Sequence, residues 1–450
     1  MILDGWRSPG VEVAVIGLGK SGVAATRLLR RQGVRVYASD AGSGEALEEQ
    51  AAKLREEGAD VSLGGHDLPR IARAVAAVVS PGVPPGAPPV TAARAAGVAV
   101  VAEAELGLAS LPRTQALVVS GTNGKTTTTA LTAHLLTAGG LRAAAAGNIG
   151  RPLAEVALEV DPPDWLAVEL SSFQLHDMPG LRPAAGVLTN LSPDHLDRYP
   201  ALADYYADKA RLFRNAGPES VWITNADDPE VQRMVAGVAG RHLRFSLQGR
   251  ADGWYDRHHR VLCLGDDELL PREELMLLGD HNVANALAAA LAARVAGVPL
   301  PALASGLRSF RALPHRLEPV REVDGVLWIN DSKATNIAST EVALDALDRP
   351  YVLLLGGRHK GEPYTRLAPR LTRNCRAVVA YGEAAPLVLA DLSGTVPIVQ
   401  GGDFADVLRR AQSLSRPGDA VLLSPACSSY DMFRNYEQRG AMFRAAVETM

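Results

Sequence analysis

The nonapeptide Gly121-Thr122-Asn123-Gly124-Lys125-Thr126-Thr127-Thr128-Thr129 restricts the fold more than any other stretch of this chain. An apolar run at 116–119 leads into it and reads as a buried strand. An alanine- and leucine-rich stretch at 130–136 follows and reads as a helix that stops at Gly139-Gly140. Strand, glycine loop and helix together form the context of a phosphate-binding loop. Glycines let the backbone approach an anion, and the free N–H groups of the first helical turn point at it. Lys125 would add a mobile positive charge, and the Thr126 hydroxyl could ligate Mg²⁺. Val119 stands where the usual loop has its first glycine, so this is a shortened variant. The competing reading is a glycine turn with a surface lysine.

The 450 residues imply two to four domains, and 47% hydrophobic residues suffice for several cores. Net charge is −4, with both signs mixed along the chain, so no basic stripe points to nucleic acid or a membrane surface. Cys263, Cys375 and Cys427 lie far apart with no C-x-x-C pair, which fits a reducing compartment and speaks against structural zinc. The N-terminus has no basic segment before an apolar core, and the alanine-rich region 284–298 is broken by Asn285 and Arg294. A cytoplasmic protein without membrane or nucleic-acid partners is expected.

A second glycine loop lies near the N-terminus. The apolar run 13–16 precedes Gly17-Leu18-Gly19-Lys20-Ser21-Gly22, a helical stretch runs to Gln32, and the next strand ends at Asp40. This is a G-x-G-x-x-G fingerprint with an acid at the end of the second strand. Such a loop recognises a diphosphate through backbone N–H groups; a tight turn without ligand is the alternative. Further strands are expected at 78–79 and 98–101. The stiff segment 80–85, containing Gly82, falls at a strand's C-terminal end, where α/β folds bind ligands.

Polar clusters mark later strand ends. Glu169 interrupts the apolar run 166–170, where an unpaired carboxylate is costly and a bound Mg²⁺ would offset the cost. His195 follows a strand and sits between Asp194 and Asp197, a metal-ligand or a structural arrangement. Lys209 falls in a helical stretch and reads locally as a surface lysine. Residues 244–268 suggest short strands, with His258-His259 in a turn. Asn282 and Asn285 share one face of a helix start, where they can cap it or read an adenine edge. Strands at 326–329, 351–355, 377–381 and 420–423 alternate with helical stretches, which predicts a further parallel sheet. Three of its strand ends carry polar clusters, at 330–336, 356–361 and 424–431.

Taken together, Gly121 to Thr126, Glu169-Leu170-Ser171-Ser172-Phe173-Gln174-Leu175, Asp331-Ser332-Lys333-Ala334-Thr335-Asn336, Ser424-Pro425-Ala426-Cys427 and Asn435 to Gly440 resemble the motifs of the Mur ligases. The resemblance runs from residue 13 to about 443. It implies three α/β domains: a Rossmann-like UDP-binding domain (1–103), a central P-loop ATPase-like domain (104–312) and a C-terminal Rossmann-like domain for the amino acid (313–450). It implies an ATP-dependent ligase that joins D-glutamate to UDP-N-acetylmuramoyl-L-alanine through an acyl phosphate, acting as a monomer. Lys125, Glu169, His195 and Lys209 match catalytic positions; Thr126, Glu169, His195 and Lys209 match ligands of two Mg²⁺ ions, with Lys209 carbamylated. Thr122, Asn123, Gly124, Thr127, Thr128, Asn282, Asn285, His315, Arg316 and Asp331 match the ATP site. Gly19, Lys20, Ser21, Gly22, Asp40, Gly82 and Asn148 match the UDP-sugar site, and Thr335, Lys360, Ser429 and Tyr436 the D-glutamate pocket.

Two other classes compete. A nicotinamide-dependent dehydrogenase would use the first glycine loop, but the second nucleotide loop has no place in it. A P-loop regulatory ATPase would lack ligase chemistry. A Mur or folylpolyglutamate-type ligase with another amino-acid substrate is the nearer alternative. Three domains serving one reaction also predict hinges near Glu103 and Ala312.

Overall fold

A computed structural model describes residues 5–194 and 199–450. The N-terminal sheet has five parallel strands in the spatial order Asp60–Leu63, Val36–Asp40, Val13–Ile16, Ala76–Val79, Ala99–Ala102. The strand order reverses between Val13–Ile16 and Ala76–Val79, so a crevice opens above their C-terminal ends. The helix Lys20–Arg31 has no acidic residue in its first turn and two arginines in its last. That leaves its positive N-terminal end available to an anion.

The central sheet has nine strands. Gln115–Ser120 lies between Ala185–Leu188 and Trp165–Glu169, parallel to both. Its residues 116–120 are buried, as expected for a parallel strand covered on both faces. At the far edge, Gly253–Asp256, Val261–Leu264 and Asp267–Pro271 form an antiparallel meander, and His258 and His259 are exposed in its turn.

The third sheet runs Glu318–Val323, Val326–Asn330, Ala420–Leu423, Tyr351–Gly356, Cys375–Tyr381, Ile398–Gln400. It is parallel except for its first strand, which pairs antiparallel with Val326–Asn330. The four strands expected from the sequence are parallel, and the antiparallel edge strand Glu318–Val323 is an addition that the sequence pattern did not show. Arg321 and Glu322 hide the strand pattern, which only an edge position tolerates. Three α/β sheets are thus present. Among the described residues no helix is long and apolar enough to cross a membrane.

By compactness the chain divides into two units: residues up to Glu274 with Ala284–Arg308, and Leu275–Val283 with Ser309–Met450. The first two sheets therefore belong to one unit, and the segment at Glu103, where the sequence predicts a hinge, is packed on both sides. Glu103 is fully buried, and one carboxylate oxygen accepts the Ala154 amide at 2.6 Å. A Cβ on Gly107 would lie 2.5 Å from Leu153 Cβ, so the two segments touch at backbone distance. Glu105 accepts the Gly180 amide at 2.8 Å, and Arg94 pairs with Asp177 at 2.9 Å. Chain direction alone suggested a joint at this place; packing closes it.

The second Glu103 oxygen is buried and has no hydrogen-bond partner of good geometry among the described residues; the Ser21 side chain is a polar neighbour of the carboxyl. Burial pushes the carboxyl up to about 7. Because the folded value exceeds the unfolded one, the unfolded chain releases its proton first. The folded state therefore holds its full stability at acid pH and loses part of it as pH rises to about 7. The loss from this group is about 3 kcal/mol. Glu103→Gln is expected to flatten that slope, read as denaturation midpoints of both proteins from pH 4.5 to 8. Parallel profiles for the two would contradict the assignment.

Candidate active site

The crevice of the N-terminal sheet is a cavity of about 650 Å³. Gly19, Lys20, Ser21, Asp40, Gly82 and Asn148 all line it. Two glycines of the loop are required by the protein itself. A Cβ on Gly22 would fall 1.7 Å from the Gly17 carbonyl oxygen, and Gly17 has φ +86° with Val83 at 2.7 Å from its Cβ position. Gly19 is different: nothing lies within 4 Å of its Cβ position. The missing side chain there leaves open space that a diphosphate can fill. The Asp40 carboxylate accepts the Leu18 amide at 2.6 Å and the Gly42 amide at 2.8 Å, so it fixes the loop while facing the cavity.

The second loop lies at the end of Gln115–Ser120. Gly124 has φ +80° and precedes the helix Lys125–Ala138, whose first turn has no acidic residue. The loop is pinned on all sides. Thr122 Oγ1 accepts the Ser192 amide and meets Tyr205 Oη at 3.1 Å. The Asn123 amide donates to Asn190 Oδ1, and the Asn123 carbonyl accepts from Thr189 and Asn190. Thr128 is fully buried and donates to Asn285 Oδ1 at 3.2 Å. Thr126 and Thr127 are half-buried in the first helical turn.

Two lysines converge on one oxygen of this loop. Lys125 Nζ donates to the Gly121 carbonyl at 3.0 Å and to the Thr122 carbonyl at 2.8 Å. Lys209 Nζ donates to the same Gly121 carbonyl at 2.6 Å. Lys209 is 1% exposed, and its pKa falls well below the ordinary lysine value. Burial is the main cause, followed by the Lys125 charge; Asp194 and Glu169 pull the other way. The local reading of Lys209 as a surface lysine is therefore corrected: the helix Leu202–Ala210 turns it inward, its neighbour Asp208 held by His176 at 2.7 Å and Tyr199 at 3.0 Å.

Glu169 ends the strand beside the loop and is 2% exposed. Its Oε1 accepts Asn148 Nδ2 at 2.8 Å; its Oε2 is buried with no hydrogen-bond partner among the described residues. The Asn148 amide also donates to the Glu169 carbonyl at 2.9 Å. Gly147, at φ +105°, makes this approach possible, since a Cβ there would lie 2.4 Å from that carbonyl oxygen. Asn148 thus borders the first cavity and touches the carboxylate beside the second loop. His195 lies outside the described residues.

The other candidates belong to the second compact unit, except Asn285. Asn282 is buried in the first turn of the helix Asp280–Val295, and its side-chain amide donates to the Leu278 carbonyl at 2.8 Å. His315 (φ +65°) lies 3.0 Å from Asn330 Nδ2, and Arg316 is half-buried beside it. Asp331 accepts Ser424 Oγ at 2.8 Å and the Leu317 amide at 3.1 Å, and burial pushes its carboxyl up to about 7. Thr335, Ser429 and Lys360 follow Val326–Asn330, Ala420–Leu423 and Tyr351–Gly356, three neighbouring strands of one sheet. Thr335 is half-buried, Ser429 buried and Lys360 exposed. Tyr436 starts the helix Tyr436–Glu448, with Lys333 Nζ 5.3 Å from its ring centroid. Arg439, which the sequence reading passed over, is fully buried and donates to the Ser332 and Cys427 carbonyls. It ties two of the polar clusters to that helix. A lone arginine in a helical pattern carries no sign of this.

Among the described residues no cluster of three His, Cys, Asp or Glu side chains could hold a metal alone. A Mg²⁺ ion nevertheless fits beside the second loop. The unpartnered Glu169 oxygen is a hard anionic ligand, and a nucleotide's phosphates would complete the shell. Lys125 and the open helix N-terminus fit the phosphates themselves.

A cavity at a glycine loop and a P-loop beside a buried carboxylate are coupled through one asparagine and followed by a third α/β sheet, the layout of a nucleotide-binding α/β protein. Residues 11–102 match the family model for the Mur ligase MurD-like N-terminal domain, 119–293 the Mur ligase middle domain, and 315–427 the Mur ligase glutamate ligase domain. The UDP-N-acetylmuramoylalanine–D-glutamate ligase of Myxococcus xanthus is 42% identical over 98% of this chain and 99% of its own length. The enzyme of the same name from Salinibacter ruber is 42% identical over 97% of each. Among solved structures, a pseudomurein peptide ligase type C from Methanothermus fervidus superposes with a TM-score of 0.61 at 20% identity, covering 98% of this chain and 100% of its own. The UDP-N-acetylmuramate–alanine ligase of Thermotoga maritima gives 0.60 at 18%, covering 97% and 99%; these two speak for the fold. The chain belongs to the Mur ligase family, whose members are ATP-dependent amide-forming ligases.

A Cβ on Gly124 would lie 2.3 Å from Asn285 Oδ1, in a left-handed backbone conformation. Gly124→Ala is expected to weaken ADP binding, measured by titration calorimetry, by at least about tenfold, and to lower stability by about 1–3 kcal/mol. Unchanged ADP affinity would mean that the loop does not carry the nucleotide.

Proposed function

We propose that this protein joins D-glutamate to UDP-N-acetylmuramoyl-L-alanine, forming an amide as ATP is converted to ADP and phosphate, in peptidoglycan precursor synthesis. The observation that carries this reading is the Asn148–Glu169 hydrogen bond, which links an anion cavity to a P-loop within one compact unit. Whole-length similarity to enzymes named for this substrate pair supports the same conclusion.

The residues divide the work as follows. Gly19, Lys20, Ser21 and Gly22 hold the diphosphate of the sugar nucleotide, Asp40 and Gly82 border its nucleoside, and Asn148 faces its peptide end. Lys125 with the backbone of Thr122, Asn123, Gly124, Thr126, Thr127 and Thr128 holds the ATP phosphates. Asn282, Asn285, His315, Arg316 and Asp331 serve its adenosine and phosphates. Thr126, Glu169, His195 and carbamylated Lys209 ligate two Mg²⁺ ions, which when bound neutralise phosphate charge and stabilise the transferring phosphoryl group. Thr335, Lys360, Ser429 and Tyr436 hold D-glutamate, with the Lys360 ammonium on a carboxylate. The alanyl carboxylate becomes an acyl phosphate, and the D-glutamate amine displaces phosphate from it. Residues 1–103, 104–312 and 313–450 act as the sugar-nucleotide, ATP and amino-acid domains.

Carbamylation of Lys209 has a physical basis. A neutral amine is the form that adds CO₂, and burial beside Lys125 favours the neutral form. The carbamate would replace that amine at the Gly121 carbonyl by an anion beside Lys125. Free thiols at Cys263, Cys375 and Cys427 support a cytoplasmic site of action.

Phosphate release should require UDP-N-acetylmuramoyl-L-alanine and D-glutamate together, with L-glutamate, L-alanine and diaminopimelate inactive. ATP turnover indifferent to the amino acid would overturn the assignment. Glu169→Gln is expected to lower kcat at least about 100-fold in the same assay. With ¹³C-labelled CO₂, the protein should show a carbamate resonance that Lys209→Arg abolishes; a spectrum without it rejects the modification.

A further inference from the structure

Three loops of the third sheet are tied together by two buried side chains that the proposed reaction does not use. The strand Ala420–Leu423 runs between Val326–Asn330 and Tyr351–Gly356, with about 4.8 Å from each strand to the next. Thr335, Ser429 and Lys360 follow these strands in the same spatial order. The middle loop is strained: Ala426 is held at φ +55°, a conformation that an alanine keeps only where its surroundings enforce it. Cys427, next in the chain, is fully buried, and both flanking loops are tied to it.

Arg439 makes one tie. Its Nε donates to Ser332 Oγ at 2.9 Å and its Nη2 to the Ser332 carbonyl at 2.8 Å. Nη1 and Nη2 donate to the Cys427 carbonyl at 3.3 and 3.2 Å. Ser332 Oγ in turn donates to the Tyr436 carbonyl at 2.8 Å. A fully buried guanidinium is costly and ordinarily faces a carboxylate. Here its donors go to a hydroxyl and to backbone carbonyls of two separate loops, and a planar fork of five N–H groups lets one side chain span both. Tyr364, also buried, makes the other tie. Its Oη lies 2.8 Å from Cys427 Sγ and 3.1 Å from Nδ1 of His359, the residue before Lys360. Beside it the Arg358 amide donates to the Ser428 carbonyl at 2.8 Å, and the Ser428 amide to the Arg358 carbonyl at 3.2 Å. Gly357 permits this approach, since a Cβ there would lie 2.3 Å from the Ser428 carbonyl oxygen.

We propose that Arg439 and Tyr364 are positioning residues that fix the separation of Thr335, Ser429 and Lys360, and so set the length of amino acid that the pocket accepts, glutamate over the shorter aspartate. This rests on the reading of those three residues as the D-glutamate pocket. An amino dicarboxylate presents two anionic ends. Groups on loops held at one separation grip both ends at one chain length only, and a methylene more or less is worth about 10–200-fold in a fitted site. Loops free to shift would close on either length.

The test is the ratio of kcat/KM for D-glutamate to that for D-aspartate, read as phosphate release by the full-length protein with ATP and UDP-N-acetylmuramoyl-L-alanine. If D-aspartate does not react, its inhibition constant over the D-glutamate KM takes the place of the ratio. The wild type should favour D-glutamate by at least about tenfold. Arg439→Lys keeps the charge but has one nitrogen and cannot span both loops. It should raise the D-glutamate KM and lower the ratio by about tenfold, leaving the KM for the sugar nucleotide unchanged. Tyr364→Phe, which removes only the hydroxyl, should lower the ratio about threefold. A wild-type ratio in Arg439→Lys would overturn the proposal even if the variant melts earlier, the mark of a merely structural arginine. So would a wild type without the preference. Should Arg439→Lys not fold, Tyr364→Phe and Ser332→Ala decide: a lowered ratio in both supports the proposal, and a wild-type ratio in either rejects it. If the wild type forms no amide with D-glutamate at all, the reading of the pocket itself is wrong.

Discussion

A carboxylate kept out of water at the end of a central strand sets the terms for the rest of the site. Glu169 is buried where the sheet has no room for an unpaired charge, and only one of its oxygens is satisfied, by Asn148. Leaving the other unpaired costs on the order of 1–3 kcal/mol in the free protein. A divalent cation removes that cost, so the protein is built to be completed by a ligand. Asn148 joins the same carboxylate to the first cavity: its side-chain amide bonds Glu169 while its loop walls that space. The glycine before it is there because any Cβ would collide with the strand end.

The positive groups answer this arrangement. Lys125 and Lys209 share the Gly121 carbonyl, and two ammonium groups at such separation repel strongly in a dry environment. Burial eases the conflict by pushing the Lys209 pKa well below the ordinary lysine value. The loop then presents the Lys125 ammonium, an open helix terminus and a buried amine. All three suit a reaction that must bring two carboxylates and a triphosphate together. The loop's rigidity comes from neighbours far away in sequence: Thr189, Asn190, Ser192 and Tyr205 all bond its backbone or its Thr122 hydroxyl.

Much of this was legible in the residues. Both glycine loops, the strand before each and the helix after each follow from local pattern, because steric freedom and helix-end electrostatics act over a few residues. Glu169 stood out as a charge inside an apolar run. Other features were not legible. The strand Asp60–Leu63 is short and half-exposed, so its local pattern is weak. The edge strand Glu318–Val323 carries charges that mask its alternation. Arg439 and Lys209 look like ordinary helical surface residues until the fold buries them. The joint anticipated at Glu103 is a packed contact, since neither Gly107 nor Ala154 announces its partner in sequence.

By itself the sequence determined which anions this protein can cradle, because a glycine loop flanked by strand and helix creates its own binding surface from backbone groups. It determined the α/β class through the alternation of apolar strands and helices, and the family through motifs spread over the whole chain. Tertiary structure alone decided what each lone charged side chain does. A lysine is a solvated cation or a buried amine, and an arginine a surface charge or a buried tie between loops, according to the dielectric and the partners that folding puts around it. Those surroundings come from segments tens of residues away, and no local pattern encodes them.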